Sequence, residues 1–136
     1  MKDVISLYRQ YPKYNHLSDF DLEYFLKPSI LLNQYKKHYF DDKLIGFTNW
    51  AYLSDYASNH FANTGNININ EWKSGNNIWH VETICISHLK EIISWTKNYF
   101  AKNFNSKTVI NWLRTDNEKI YRTTKRIIKD NWLWVR

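Results

Sequence analysis

The sequence predicts an α+β domain with a mostly antiparallel central sheet flanked by helices, and three features carry that expectation. Apolar residues recur at helical spacing after Ser18 and again from Leu89 to Phe104, whereas from Tyr35 to Leu53 they recur with a period of two. The stretch Glu71 to Ile86, EWKSGNNIWHVETICI, joins a glycine turn to a run of β-branched and aromatic residues, the signature of a buried strand. The resulting order, β-β-α-β-α-β, segregates helices and strands as an α+β sheet does.

Each element has its own reason. Val4, Ile5, Leu7 and Tyr8 suggest a short first helix, followed by a polar loop through Pro12 that carries His16. Ser18 is a good N-cap, Asp19 and Asp21 suit the first turn, and Phe20, Leu22, Phe25 and Leu26 supply an apolar face. Pro28 is expected to end or restart that helix, leaving a second short one to Gln34. Tyr35 to Phe40 and Lys43 to Leu53, joined at Asp41-Asp42, read as a hairpin. A short helix opening at Ser54 follows, then the polar, turn-rich NTGNININ (residues 63–70), which is expected to be mobile. Gly75 is expected to give the conformational freedom for a sharp turn into the central strand, Ile78 to Ile86. Leu89, Ile92, Ile93, Thr96, Phe100 and Phe104 share one face of the next helix. Thr108 to Arg114 reads as a strand, and Lys119 to Ile128 as a further strand running into a terminal helix.

At 136 residues the chain forms one domain, residues 1–136, with enough length for a real core. Lys and Arg outnumber Asp and Glu 19 to 13, a basic balance that favours acidic partners: nucleic acid, anionic membrane or an acidic carrier protein. The single cysteine, Cys85, excludes an internal disulfide and a cysteine-only metal site, and fits a reducing, cytoplasmic setting. The opening residues have no signal-peptide pattern and no 18-residue apolar run exists, so no membrane span is expected. Five histidines show no H-x-x-x-H or H-E-x-x-H spacing, so no metal site is expected.

Glu82 is the residue that asks for an explanation. A carboxylate between Val81 and Ile84 in an apolar strand costs several kcal/mol unless it is paired or protonated. A structural pairing with Arg or Lys is one reading; a catalytic role is the other. Alternation along a strand places His80 on the same face as Glu82, as a competing partner. His16 reads from the residues alone as either a surface-loop histidine or a base. Asn33 and Ser74 offer donors to an oxyanion, or simply a cap and a turn. Trp50, Tyr52, Trp72, Trp79 and Trp112 offer either an acyl-chain slot or ordinary core. No G-x-S-x-G elbow supports serine hydrolysis.

Three stretches resemble one family. Pro28-Ser29-Ile30-Leu31-Leu32-Asn33-Gln34-Tyr35 follows a P-x-I-x-x-x-Q-Y pattern, and Ile45 to Ser54 is similar to a V-A-Y-C-S-W-A strand. Trp72-Lys73-Ser74-Gly75 with Trp79-His80-Val81-Glu82 resembles W-x-S-G-D-x-x-W-x-x-D. Together with Leu113-Arg114-Thr115-Asp116, in this order and spacing, they resemble the RTX toxin-activating lysine acyltransferases of the hemolysin-activating type. The resemblance spans roughly residues 5 to 126. It implies a fold similar to the GCN5-related N-acetyltransferases (GNAT-like), a homodimer, and transfer of a fatty acyl group from acyl carrier protein to internal lysines of a protoxin. No tightly bound cofactor is implied; the acyl carrier protein thioester is the donor substrate. The family's catalytic histidine falls on His16 and its strand aspartate on Glu82, with Asn33, Ser74 and Trp79 as substrate-binding candidates. The chain departs from the pattern in having Lys13-Tyr14-Asn15 ahead of His16 instead of Ser-Pro-x, and Glu82 instead of aspartate.

Two other functions are set against this. An acetyl-CoA enzyme needs a glycine-rich turn to cradle pyrophosphate, yet the three glycines, Gly46, Gly65 and Gly75, are scattered. A non-enzymatic basic aromatic module binding nucleic acid fits the charge and the aromatic content, although no RRM, KH or zinc pattern is present. Basic residues Lys119, Arg122, Lys125, Arg126 and Lys129 offer a platform for an acidic carrier or a solvated face.

Overall fold

The computed structural model describes residues 1–105, 107–116 and 119–127. Its elements run α1 (Lys2–Arg9), α2 (Asp19–Leu31), β1 (Tyr35–Phe40), β2 (Lys43–Leu53), α3 (Asp55–Thr64), β3 (Asn77–Cys85), α4 (Leu89–Asn103), β4 (Val109–Asp116) and β5 (Lys119–Ile127). The strands form one sheet in sequence order, β1-β2-β3-β4-β5. All junctions are antiparallel except β3–β4, which is parallel. This is the α+β, GNAT-like architecture that was expected. The expected terminal helix beyond residue 127 and the basic side chains of that platform lie outside the described residues.

The parallel junction is short. Among the described residues only Ile78↔Ile110 and Trp79↔Asn111 pair, and the second half of β3 is paired with β2.

Helices α1 and α2 cover one face of β2 and β3, with Val4, Leu7, Tyr8, Leu22 and Leu26 packed against Phe47 and Ile84. On the opposite face α4 lays Phe100 against Trp50, Ile78 and Ile110. A third cluster, Ala57, Phe61, Trp72 and Trp79, fastens α3.

Three local expectations change. Pro28 does not end α2, which continues to Leu31; proline removes one hydrogen bond, and only its last turn remains to be built. Ser18 caps that helix with a full capping box, its hydroxyl accepting from the Asp21 N–H at 3.0 Å. Phe20 is not on the core face. It is 74% exposed and stacks on Tyr24, while Leu22 and Leu26 are buried. Gly75 is required for closeness and not for a left-handed backbone: an added Cβ would lie 2.6 Å from Ser54 Cα and 2.7 Å from the Leu53 carbonyl oxygen. The left-handed glycine is Gly65, at the end of α3. The 66–76 segment is held at Ile67, which packs into the α3 cluster, and by the Glu71 N–H to Asn68 carbonyl bond.

The Glu82 face and its neighbours

The position of Glu82 depends on a bulge. In the β2–β3 ladder Asn49 pairs with Glu82 but Trp50 pairs with His80, so Val81 is an extra residue. Asn49 faces α2, its amide donating to Ser29 Oγ at 3.2 Å. Trp50 faces α4, with ring centroids 4.6 Å from Tyr99 and 6.2 Å from Phe100. Cross-strand partners share a face. Glu82 therefore joins α1 and α2, while His80 lies on the α4 side. Simple alternation put the two together; the inserted residue separates them.

On its own face Glu82 is held by tyrosines. The Tyr8 hydroxyl donates to Oε1 and the Tyr14 hydroxyl to Oε2. Tyr8 is wholly buried on α1, and Tyr14 meets its ring edge-on at 5.1 Å. Burial pushes the Glu82 carboxyl above its ordinary range, against the two hydroxyl bonds, which favour the charged form. Burial, and then the charge of Glu82, push the Tyr8 phenol well above its own. A third tyrosine, Tyr11, clasps the Cys85 peptide, accepting from its N–H and donating to its carbonyl.

The same segment carries His16. The Arg9 guanidinium donates to the Asn15 carbonyl at 3.2 Å and to the Leu17 carbonyl, and pairs with Asp19 at 2.5 Å. The peptides flanking His16 are thus fixed by one side chain, while the imidazole is exposed. His16 makes no hydrogen bond to Glu82. The link between them is Tyr14, two residues before His16. Tyr8, Tyr14 and Arg9 were not singled out from the sequence. The available signal was a strand carboxylate in need of donors and a tyrosine-rich opening, YRQYPKYNH.

His80 belongs to a different network. A chain of hydrogen bonds crosses the sheet on the α4 side: His38 Nε2 to Thr48 Oγ1 at 2.9 Å, Thr48 to Thr83 at 3.1 Å, and Thr83 to His80 Nε2 at 2.7 Å. Burial lowers both imidazoles to about 4. The His80 ring also bonds the Glu82 backbone, and burial makes it a weak base at neutral pH.

The remaining candidates lie elsewhere. Ser74 sits before β3, toward the end far from Glu82, and its hydroxyl accepts from the Ser54 N–H at 2.9 Å and donates to the Glu71 carbonyl at 2.7 Å. Asn33 is exposed in a left-handed conformation (φ 59°) between α2 and β1. Trp79 is buried, its indole N–H donating to Ser58 Oγ at 2.9 Å. The large aromatics are divided between the two faces of the sheet: Trp50 packs under α4, and Trp72 and Trp79 under α3.

Between α2, α3 and Trp72 lies a cavity of about 180 Å³, walled by Phe25, Phe61, Ile67, Ile69, Trp72 and Val81. It adjoins the Glu82 site through Val81, the preceding residue, and through Phe25, whose ring lies 6.5 Å from Tyr8 and 6.4 Å from Trp72.

Comparison with known proteins gives a family and a relative. Residues 1–128 match the RTX toxin acyltransferase family. Over 98 residues the chain is 34% identical to the uncharacterized protein sll0720 of a Synechocystis strain, a match covering 69% of this chain and 64% of that protein. The chain thus spans just under two thirds of the length of that relative.

Proposed function

The chain belongs to the RTX toxin acyltransferase family, and from that premise we propose that it moves a fatty acyl group from acyl carrier protein to lysine side chains of a protoxin or similar polypeptide. The observation that carries this reading is the Glu82 carboxylate, turned by the Val81 bulge onto the α1 face and tied by Tyr14 to the segment bearing His16.

The chemistry has one main obstacle. A lysine amine with a pKa near 10.4 is uncharged in only about one molecule in 10³ to 10⁴ at pH 7, a handicap of roughly 4 to 5 kcal/mol. In the proposed reaction the lysine Nζ attacks the thioester carbonyl carbon, His16 takes the proton lost from nitrogen, and the carrier thiolate departs. Glu82 presents a negative charge to the imidazolium that forms, with Tyr8 and Tyr14 fixing its orientation. Glutamate has one methylene more than aspartate, about 1.5 Å of reach, and both of its oxygens are met by those hydroxyls. Asn33, Ser74 and Trp79, which lie away from Glu82, enter the proposal only as substrate-binding candidates outside the reacting centre. Partners in this reading are acyl carrier protein, the acceptor polypeptide and a second copy in a homodimer, in the cytoplasm, with no resident cofactor. Among the described residues no helix is long and apolar enough to cross a membrane.

The test is co-expression with lysine-containing candidate acceptors and mass spectrometry of the products. A fatty acyl mass on lysine is expected from the wild type and not from His16→Ala. Equal labelling by both would remove His16 from the reaction.

A further inference from the structure

We infer that the cavity between α2, α3 and Trp72 is the slot for the fatty acyl chain of the donor; this rests on the acyl-transfer reading and assigns that site a binding wall. The bulge is the first argument. A regular strand would send residues 81 and 82 to opposite faces. With Val81 as the inserted residue, Glu82 turns to the tyrosines while Val81 packs with the α3 cluster and lines the cavity. Acid and apolar wall are therefore consecutive residues.

Shape and charge are the second argument. The cavity, at about 180 Å³, has no ionisable wall residue except the Tyr24 phenol. That is below the roughly 300 Å³ at which pockets for compact ligands begin. It suits a narrow hydrocarbon and not a nucleotide. Beyond it a shallower groove shares Pro28, Ile69 and Trp72 and continues past Leu31 and Leu32, with Lys27 and Lys73 bordering it. Leu31 is 72% and Ile69 46% exposed, apolar surface that a long chain leaving the cavity would cover. The path is continuous from Val81 to these residues, so acyl length is read by how far the chain extends along it.

Ile67 is the residue to change, since it is partly exposed and lies on the 66–76 loop, a different segment from those that carry Glu82 and His16. Ile67→Trp should fill the slot. With octanoyl and palmitoyl carrier proteins in competition, the variant should favour octanoyl over palmitoyl at least tenfold more than the wild type does. In parallel, a fluorescent polyene fatty acid should bind the wild type and lose affinity about tenfold in the variant. Unchanged chain preference with unchanged probe binding would overturn the slot. Probe binding that responds to Ile67→Trp in a protein that transfers no acyl group would sustain the slot and sink the transferase reading. Self-association that buries Leu31 and Ile69, with no probe binding, would assign the groove to a second copy and overturn the proposal.

Discussion

Two tyrosine hydroxyls, in place of the arginine or lysine that a buried strand carboxylate suggests, meet the two oxygens of Glu82. The pairing is neutral on one side, so the carboxyl stays raised by burial and is more easily protonated than a salt-bridged acid. Tyr14→Phe removes one donor to the charged form. The acid limb of the pH–rate profile should then move upward, because the charged carboxylate loses one of the two donors that favour it. An unmoved limb would mean that Glu82 does not set it. Arg9 acts on the other partner. One nitrogen of its fork, Nη1, meets the carbonyls on both sides of His16 while the other, Nη2, holds Asp19, and a single lysine ammonium cannot serve both places. Arg9→Ala and Arg9→Lys should both lower kcat, on the order of 10²-fold if the ring drifts by an ångström, with the fold retained. Full rescue by lysine would show that only the charge matters. The sequence reading reached Glu82 because a lone carboxylate in an apolar strand is locally conspicuous. It missed Tyr8 and Tyr14 because a contact 74 or 68 residues away leaves no local trace.

At the scale of elements, what was legible followed from period and caps. Ser18 and Ser54 open their helices as expected, and the Asp41-Asp42 turn closes the hairpin with both residues at positive φ (49° and 61°). What was not legible is parity. The alternation that defines β3 as a strand also predicts His80 beside Glu82, and one inserted residue, Val81, reverses the prediction. Nothing in Trp79-His80-Val81-Glu82 marks the bulge, because its cause is the ladder with β2. The glycine turn was found for the wrong reason. Gly75 lies against the backbone of Leu53 and Ser54, so Gly75→Ala forces β2 and the turn apart. It should cost about 1–3 kcal/mol and lower Tm by roughly 5–10 °C in a thermal melt. An unchanged Tm would show that the turn can move aside.

For the whole molecule, the sheet separates two polar systems, the Glu82–tyrosine cluster on the α1 face and the His38–Thr48–Thr83–His80 chain on the α4 face. The second makes stability depend on pH. Both imidazoles sit at about 4 in the fold, against roughly 6.5 when unfolded. Between those values the unfolded chain binds protons that the fold refuses, so stability falls as pH falls from about 6.5 towards 4. Glu82, raised by burial, acts in the opposite sense: its protonation relieves a buried charge as pH falls. Melts from pH 7 to 5 should show Tm dropping by several degrees, with a shallower slope in His80→Gln. An equal slope would remove His80 from the effect. The account as a whole is tested most directly by initial rates of acyl transfer from a purified acyl carrier protein to a lysine acceptor, for wild type, His16→Ala and Glu82→Gln, each with circular dichroism. Both variants should keep the wild-type spectrum and lose transfer by on the order of 10²-fold or more. A folded Glu82→Gln protein that transfers at the wild-type rate would contradict the claim that this face performs the reaction.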